Sequence, residues 1–174
     1  MSGIEFVLEL KTVLLSQSTK ETIHLGKRIG TLLQPGDTVA LVGELGTGKT
    51  YYIKGLAAGL GVERADCITS PSFTLIHEYR GKFPFYHIDL FRLGHEEEAE
   101  ELGLEEVFAA EGVVAVEWAD RIPNLLPEEL LWVELVYLGK RTRSVSLRGR
   151  GKRYEELVRK ASRGDLGDEI RISK

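Results

Sequence analysis

Two kinds of apolar pattern alternate along the chain. Continuous runs of strand length stand at 38–43 (TVALVG) and 112–118 (GVVAVEW), and LLWVELVYL at 130–138 reads as another strand. Runs with no polar residue at every second position predict strands buried on both faces, as in a parallel sheet. The segment IEFVLELKTVLL at 4–15 reads as a further strand. Elsewhere the period is helical: Ile23, Gly26, Gly30 and Leu33 recur at three- to four-residue spacing, and KTYYIKGLAAGL at 49–60 reads as a second helix. Ser18 and Glu21 form an S-x-x-E capping box that opens the first helix, and Pro35-Gly36-Asp37 ends it. FTLIHEYRGKFPFYHIDLF at 73–91 predicts a hairpin turning at Arg80-Gly81-Lys82. His95–Phe108 predicts an acidic helix broken near Gly103, RSVSLRGR at 143–150 a hairpin partner for 130–138, and YEELVRKAS at 154–162 a last helix. Strands alternating with helices predict an α/β fold, a three-layer sandwich around a mostly parallel sheet.

Composition narrows the setting. The 174 residues read as one domain over 1–162, with a polar tail at 163–174 expected to be disordered. A net charge of −4 argues against a chain whose main task is gripping nucleic acid. The single cysteine, Cys67, supports no internal disulfide, which suits a reducing cytosol. Glutamates interrupt the apolar start MSGIEFVLELK, which therefore reads as neither signal peptide nor membrane span. The expectation is a soluble cytoplasmic domain.

One stretch adds chemistry. GELGTGKT, Gly43 to Thr50, matches G-x-x-x-x-G-K-[ST], and it follows an apolar strand and opens a helix. Gly43, Gly46 and Gly48 supply positive φ and leave no Cβ in the way of phosphate oxygens. The amides of Leu45, Gly46, Thr47, Gly48, Lys49 and Thr50 are then expected to form an anion nest. Lys49 is expected to reach the β and γ phosphates, and the Thr50 hydroxyl to ligate Mg²⁺. Such a loop also needs an acid at a neighbouring strand end. Asp89 in FYHIDL and Glu117 in VVAVEW both follow apolar runs and are both candidates, the direct metal ligand being open between them. The chain has one asparagine, Asn124, followed by leucine, so the N-K-x-D guanine reader is absent and ATP is the expected nucleotide. A P-loop small-molecule kinase is the alternative, although no arginine cluster resembles a lid.

GELGTGKT, TSPSFTLIHEY, YHIDLFRL, GLEEVF and VVAVEWADRIPNLLP occur in order and at the intervals of one family. The chain resembles TsaE (formerly YjeE), the bacterial ATPase of tRNA threonylcarbamoyladenosine biosynthesis, from about Ser18 to Ser146. The resemblance implies a minimal P-loop ATPase that binds a TsaB–TsaD heterodimer, with tRNA reached through that complex. It implies catalytic roles for Lys49, Asp89 and Glu117, and magnesium-side roles for Thr50, Asp89 and Glu117. The segment Ser70–Leu75 is placed like a switch, with Ser70, Ser72 and Thr74 as hydroxyls that sense the γ-phosphate. Ser18 corresponds to a position near the adenine end, and Arg141 to an arginine that closes over the nucleotide.

Other features read more plainly. Trp118 either lines the nucleotide site or packs at a strand end, and Tyr51 reads as packing on the sheet. The basic stretch Lys140, Arg141, Arg143, Arg148, Arg150, Lys152 and Arg153 reads as a solvated hairpin, and the glutamates from Glu96 to Glu106 as a solvated helix face. His87 and Asp89, two apart on one strand, face the same side, which leaves a catalytic pairing between them open.

Overall fold

The computed structural model describes Leu10 to Arg163. The expected tail and the first part of the expected N-terminal strand lie outside the described residues. Seven strands are described: β1 Leu10–Ser16, β2 Thr38–Val42, β3 Ile76–Arg80, β4 Pro84–Asp89, β5 Val113–Glu117, β6 Leu130–Tyr137 and β7 Arg143–Arg150. Five α-helices accompany them: α1 Thr19–Gly30, α2 Lys49–Gly59, α3 Glu96–Glu101, α4 Leu104–Phe108 and α5 Lys152–Ser162. The strands make one sheet in the order β1-β7-β6-β2-β5-β4-β3.

The sheet is mixed, which corrects the expectation of a mostly parallel one. The ladders β2–β5, β2–β6 and β4–β5 are parallel. Those of β1–β7, β3–β4 and β6–β7 are antiparallel. For β3–β4 and β6–β7 the reason is connection length: residues 81–83 and 138–142 are too few for a crossover, so each hairpin turns its second strand back. The continuous apolar runs do mark the buried centre, since every residue of β2 and β5 is buried.

Each face of the sheet carries its own core. Val39 and Leu41 of β2 pack with Leu25 and Ile29 of α1, Ile53 and Leu56 of α2, and Leu157 and Val158 of α5. Ala40 and Val42 point the other way, toward Ala99 of α3, Leu104 of α4 and Ile122. Fully burying a leucine or isoleucine contributes roughly 1.5–3 kcal/mol, so these two clusters hold the layers together.

Helix α1 starts where the capping box places it. The Glu21 amide donates to Ser18 Oγ at 3.1 Å, while the Glu21 carboxylate takes the Gln17 amide at 2.7 Å, one residue ahead of the cap. The helical glycines serve helix contact. A Cβ on Gly26 would lie 2.1 Å from the Tyr52 carbonyl oxygen, and one on Gly55 2.1 Å from that of Ile23. Backbones this close exclude any side chain, and α2 is thereby held against α1 with its N-terminus at the end of β2.

Candidate functional site

The glycine loop leaves the buried end of β2 and runs directly into α2. Gly43, Gly46 and Gly48 have φ of 143°, 81° and 105°, the left-handed region that disfavours any residue with a Cβ. The first turn of a helix leaves its amides without intrahelical partners. Here the Tyr52 amide reaches Gly48 O at 2.9 Å, and those ahead of it open the helix end. The Thr47 amide instead faces the Glu44 carbonyl at 3.3 Å, and the Thr47 hydroxyl donates to the same oxygen at 2.9 Å. Thr47 thus closes the loop on itself rather than facing the cleft. Lys49 is 4% exposed, and its ammonium donates to the carbonyls of Gly43 at 2.6 Å and Glu44 at 2.9 Å. Burial lowers the Lys49 pKa, opposed by the charges of Glu117, Asp89 and Asp120.

The two acids stand side by side at the carboxyl edge of the sheet, where open α/β folds bind ligands. Asp89 ends β4, Glu117 ends β5, and the two are register partners. Glu117 Oε1 accepts from Thr50 Oγ1 at 2.8 Å and lies 2.8 Å from His87 Nε2. His87 therefore pairs with Glu117 across the ladder, not with Asp89 along its own strand. Alternation puts His87 and Asp89 on one face, but Glu117 is the acid within reach. Asp89 is bound differently: its Oδ2 accepts from the hydroxyls of Ser70 and, at 3.3 Å, Ser72, and its Oδ1 takes the Phe91 amide at 2.8 Å. Burial holds its carboxyl above the ordinary value of 3.8; the Phe91 amide pulls it back down and Glu117 adds to the rise.

Ser70 and Ser72 thereby tie the 70–75 segment to the end of β4. That segment closes on Leu75, whose φ of 64° is uncommon for a branched side chain and costs roughly 1–2 kcal/mol. The Leu75 amide meets Pro71 O at 2.7 Å, and the Asp89 amide meets Leu75 O at 2.9 Å. Thr74 is exposed and does not line the cleft.

The cleft between these elements measures about 280 Å³. Leu45, Gly46, Gly48, Lys49, Thr50, Ser70, Ser72, Asp89, Glu117 and Trp118 all line it. Trp118 belongs to the cleft wall, with the Lys49 ammonium 4.0 Å from its ring centre. Tyr51 also lines the cleft and is 43% exposed, which corrects its expected packing on the sheet; its neighbour Tyr52 is the buried one. Ser18 and Arg141 are brought together with each other but line a second cleft, of about 330 Å³, with Lys20, Lys140 and Arg143.

The basic hairpin is not simply solvated. Arg143 is 6% exposed and lies beside Gly48, and Arg153 donates to Asp37 Oδ2 and Leu32 O, each at 2.7 Å. The Tyr137 hydroxyl donates to Gly46 O. Nothing local in the sequence marks Tyr137 or Arg143, because both reach the loop only through the order of the sheet.

The donor set suits a hard cation and a polyphosphate. Thr50 Oγ1 and the two carboxylates are oxygen ligands, and Mg²⁺ uses one or two carboxylates, waters and phosphate oxygens rather than an all-protein cage. No group of three or more His, Cys, Asp or Glu side chains converges among the described residues. No helix of the described residues is long and apolar enough to cross a membrane.

Comparison with known proteins adds to this geometry. The family model described as threonylcarbamoyl adenosine biosynthesis protein TsaE matches residues 16–145. The tRNA threonylcarbamoyladenosine biosynthesis protein TsaE of Bacillus subtilis (strain 168) is 42% identical over 147 residues, covering 84% of this chain and 90% of that protein. The protein of the same name from Treponema pallidum (strain Nichols) is 38% identical over 132 residues, covering 76% of this chain and 96% of its own length. The crystal structure of Bacillus subtilis YdiB superposes with a TM-score of 0.76 at 36% identity, covering 91% of this chain and 98% of YdiB. With a family match over most of its length and a glycine loop faced by two strand-end acids, the chain belongs to the TsaE family.

Proposed function

We propose that the chain is an ATPase of P-loop NTPase type, a cytoplasmic protein that binds ATP with Mg²⁺ and hydrolyses it to support a TsaB–TsaD heterodimer in forming threonylcarbamoyladenosine in tRNA. The observation that carries the reading is the convergence of Lys49, Thr50, Asp89 and Glu117, from four separate segments, on one cleft at the carboxyl edge of the sheet. The tRNA chemistry belongs to the partner complex, and this chain meets tRNA only through it.

In this reading the loop amides and the Lys49 ammonium bind the phosphates, as preorganised donors do where negative charge must be held. Thr50 with Glu117 or Asp89 holds Mg²⁺, which when bound neutralises charge on the phosphoryl oxygens. Glu117, held by His87 and Thr50, is the acid assigned in this reading to orient the attacking water. Ser70 and Ser72, bonded to Asp89, carry the state of the site to the exposed Phe73 and so toward a partner. Ser18 and Arg141, lining the adjoining cleft, are assigned to the nucleoside end.

The test is Mg²⁺-dependent ATP hydrolysis by the purified chain, alone and with TsaB–TsaD. Weak turnover that becomes productive with the heterodimer is expected, with Lys49→Ala abolishing it. Turnover indifferent to the heterodimer, and stimulated instead by a small acceptor that becomes phosphorylated, would return the chain to the kinase alternative. Unchanged turnover in Lys49→Ala would remove the site assignment itself.

A further inference from the structure

The three left-handed glycines of the loop all face one piece of structure. A Cβ on Gly43 would lie 2.4 Å from the Leu135 carbonyl oxygen, one on Gly46 3.2 Å from the Tyr137 hydroxyl, and one on Gly48 3.7 Å from Arg143 Nε and Cζ. Leu135 and Tyr137 are on β6, and Arg143 is the antiparallel register partner of Tyr137 on β7. The hairpin end therefore touches the loop at each of its bends.

Arg143 is the member of this contact with charge to contribute. Its side chain is buried, and Nη1 donates to Thr22 Oγ1 at 2.8 Å. Its Cζ lies 5.9 Å from the centre of the Tyr137 ring, and its Nε is buried without a hydrogen-bond partner. Among the described residues none of its contacts is a carboxylate. A buried cation without a counter-charge is costly unless something compensates it. Set against a loop built for anions, that charge raises the positive potential where a polyanion would lie.

We propose that Arg143 is a positioning residue for the bound polyphosphate, bracing the Gly48 bend of the loop and adding fixed positive charge behind it. This rests on the nucleotide reading above and deepens it. The one side chain that Arg143 hydrogen-bonds among the described residues, Thr22, does not depend on it. Without it the Thr22 hydroxyl still donates to Ser18 O at 3.2 Å and stays 2.8 Å from Ser16 Oγ, so no buried hydroxyl is stranded.

The test uses the full chain with Arg143→Met, which keeps bulk without charge, and Arg143→Lys, which keeps charge without the planar fork. Isothermal titration with Mg²⁺-ATP and with inorganic tripolyphosphate is compared with the melting temperature of the ligand-free chain. Arg143→Met should raise Kd for both ligands by about tenfold or more, and by a similar factor, with Arg143→Lys between it and the wild type. The ligand-free melting temperature should stay within about 4 °C. Affinities within about twofold of the wild type in both variants overturn the proposal. So does weakening confined to ATP, which would move Arg143 to the nucleoside end. A melting temperature that collapses in both variants marks a structural residue and overturns it as well. A wild-type chain that binds neither ligand overturns the nucleotide reading and this inference with it.

Discussion

The Thr50 hydroxyl donates to Glu117 Oε1 at 2.8 Å across 67 residues of sequence, joining the first turn of α2 to the end of β5. The same oxygen lies 2.8 Å from His87 Nε2 inside the sheet. A carboxylate held from both sides is oriented before any ligand arrives. Glu117→Gln keeps its shape and removes its charge. ATP hydrolysis in that variant should fall on the order of 10²-fold or more, the usual scale for losing a positioned acid–base or electrostatic group. Steady-state hydrolysis over a Mg²⁺ series, beside a thermal melt, checks this. Wild-type turnover rejects the catalytic role, and a large fall in melting temperature makes Glu117 structural.

Asp89 supplies the pH prediction. Its carboxyl is 3% exposed, and burial raises its pKa above 3.8. Between that value and the raised folded-state value the folded chain holds more protons than the unfolded one. The stability from this group is therefore full below 3.8 and lost as pH rises through the raised value. Asp89→Asn removes the titration while keeping an acceptor for the Phe91 amide. The ligand-free variant should gain melting temperature relative to the wild type as pH is raised from about 4 to about 8. A difference that stays flat over that range rejects the assignment.

Trp118 should report the nucleotide. Its ring has the Lys49 ammonium 4.0 Å from its centre and the Phe91 ring at 5.2 Å. A phosphate that engages Lys49 alters that contact directly. Mg²⁺-ATP should change the intrinsic emission of the wild type and of Trp132→Phe, and leave that of Trp118→Phe unchanged. A response that survives in Trp118→Phe and vanishes in Trp132→Phe would place the nucleotide elsewhere.

Gly55→Ala tests how α2 is held. Alanine ordinarily favours a helix interior by about 1 kcal/mol over glycine. Here its Cβ would stand 2.1 Å from the Ile23 carbonyl oxygen and 2.7 Å from the Lys27 amide nitrogen. Backbone cannot rotate aside as a side chain can, so a net destabilisation of about 1–3 kcal/mol is expected from the urea midpoint. Gly139→Ala, with no atom within 4 Å of the new Cβ, should change stability by less than about 0.5 kcal/mol. Equal midpoints for the two variants would refute close backbone contact between α1 and α2.

What could be read beforehand divides by range along the chain. The glycine loop, the Ser18 cap, the Gly103 break and both hairpins are local, since turn chemistry, helical period and left-handed glycines act over a few residues. Lys49, Thr50, Asp89 and Glu117 were legible for the same reason: the loop carries its own spacing, and an acid that closes an apolar run marks a strand end. Apolar runs overstate the parallel share of the sheet, because they report burial on two faces and not the direction of the neighbouring strand. The tail and the switch hydroxyl of Thr74 differ again: the tail lies outside the described residues, and Thr74 is exposed off the cleft.

By itself the sequence determined the elements, the phosphate-type loop and the two strand-end acids, because each is written in neighbouring residues. Only the tertiary structure decided which acid meets Thr50, that His87 pairs with Glu117 rather than Asp89, and that Tyr137 and Arg143 stand against the glycines. Those contacts come from strand order, with β6 beside β2 and β5 on its other side. Strand order is set by how two apolar faces bury at once, a property of the whole sheet that no single stretch of residues contains.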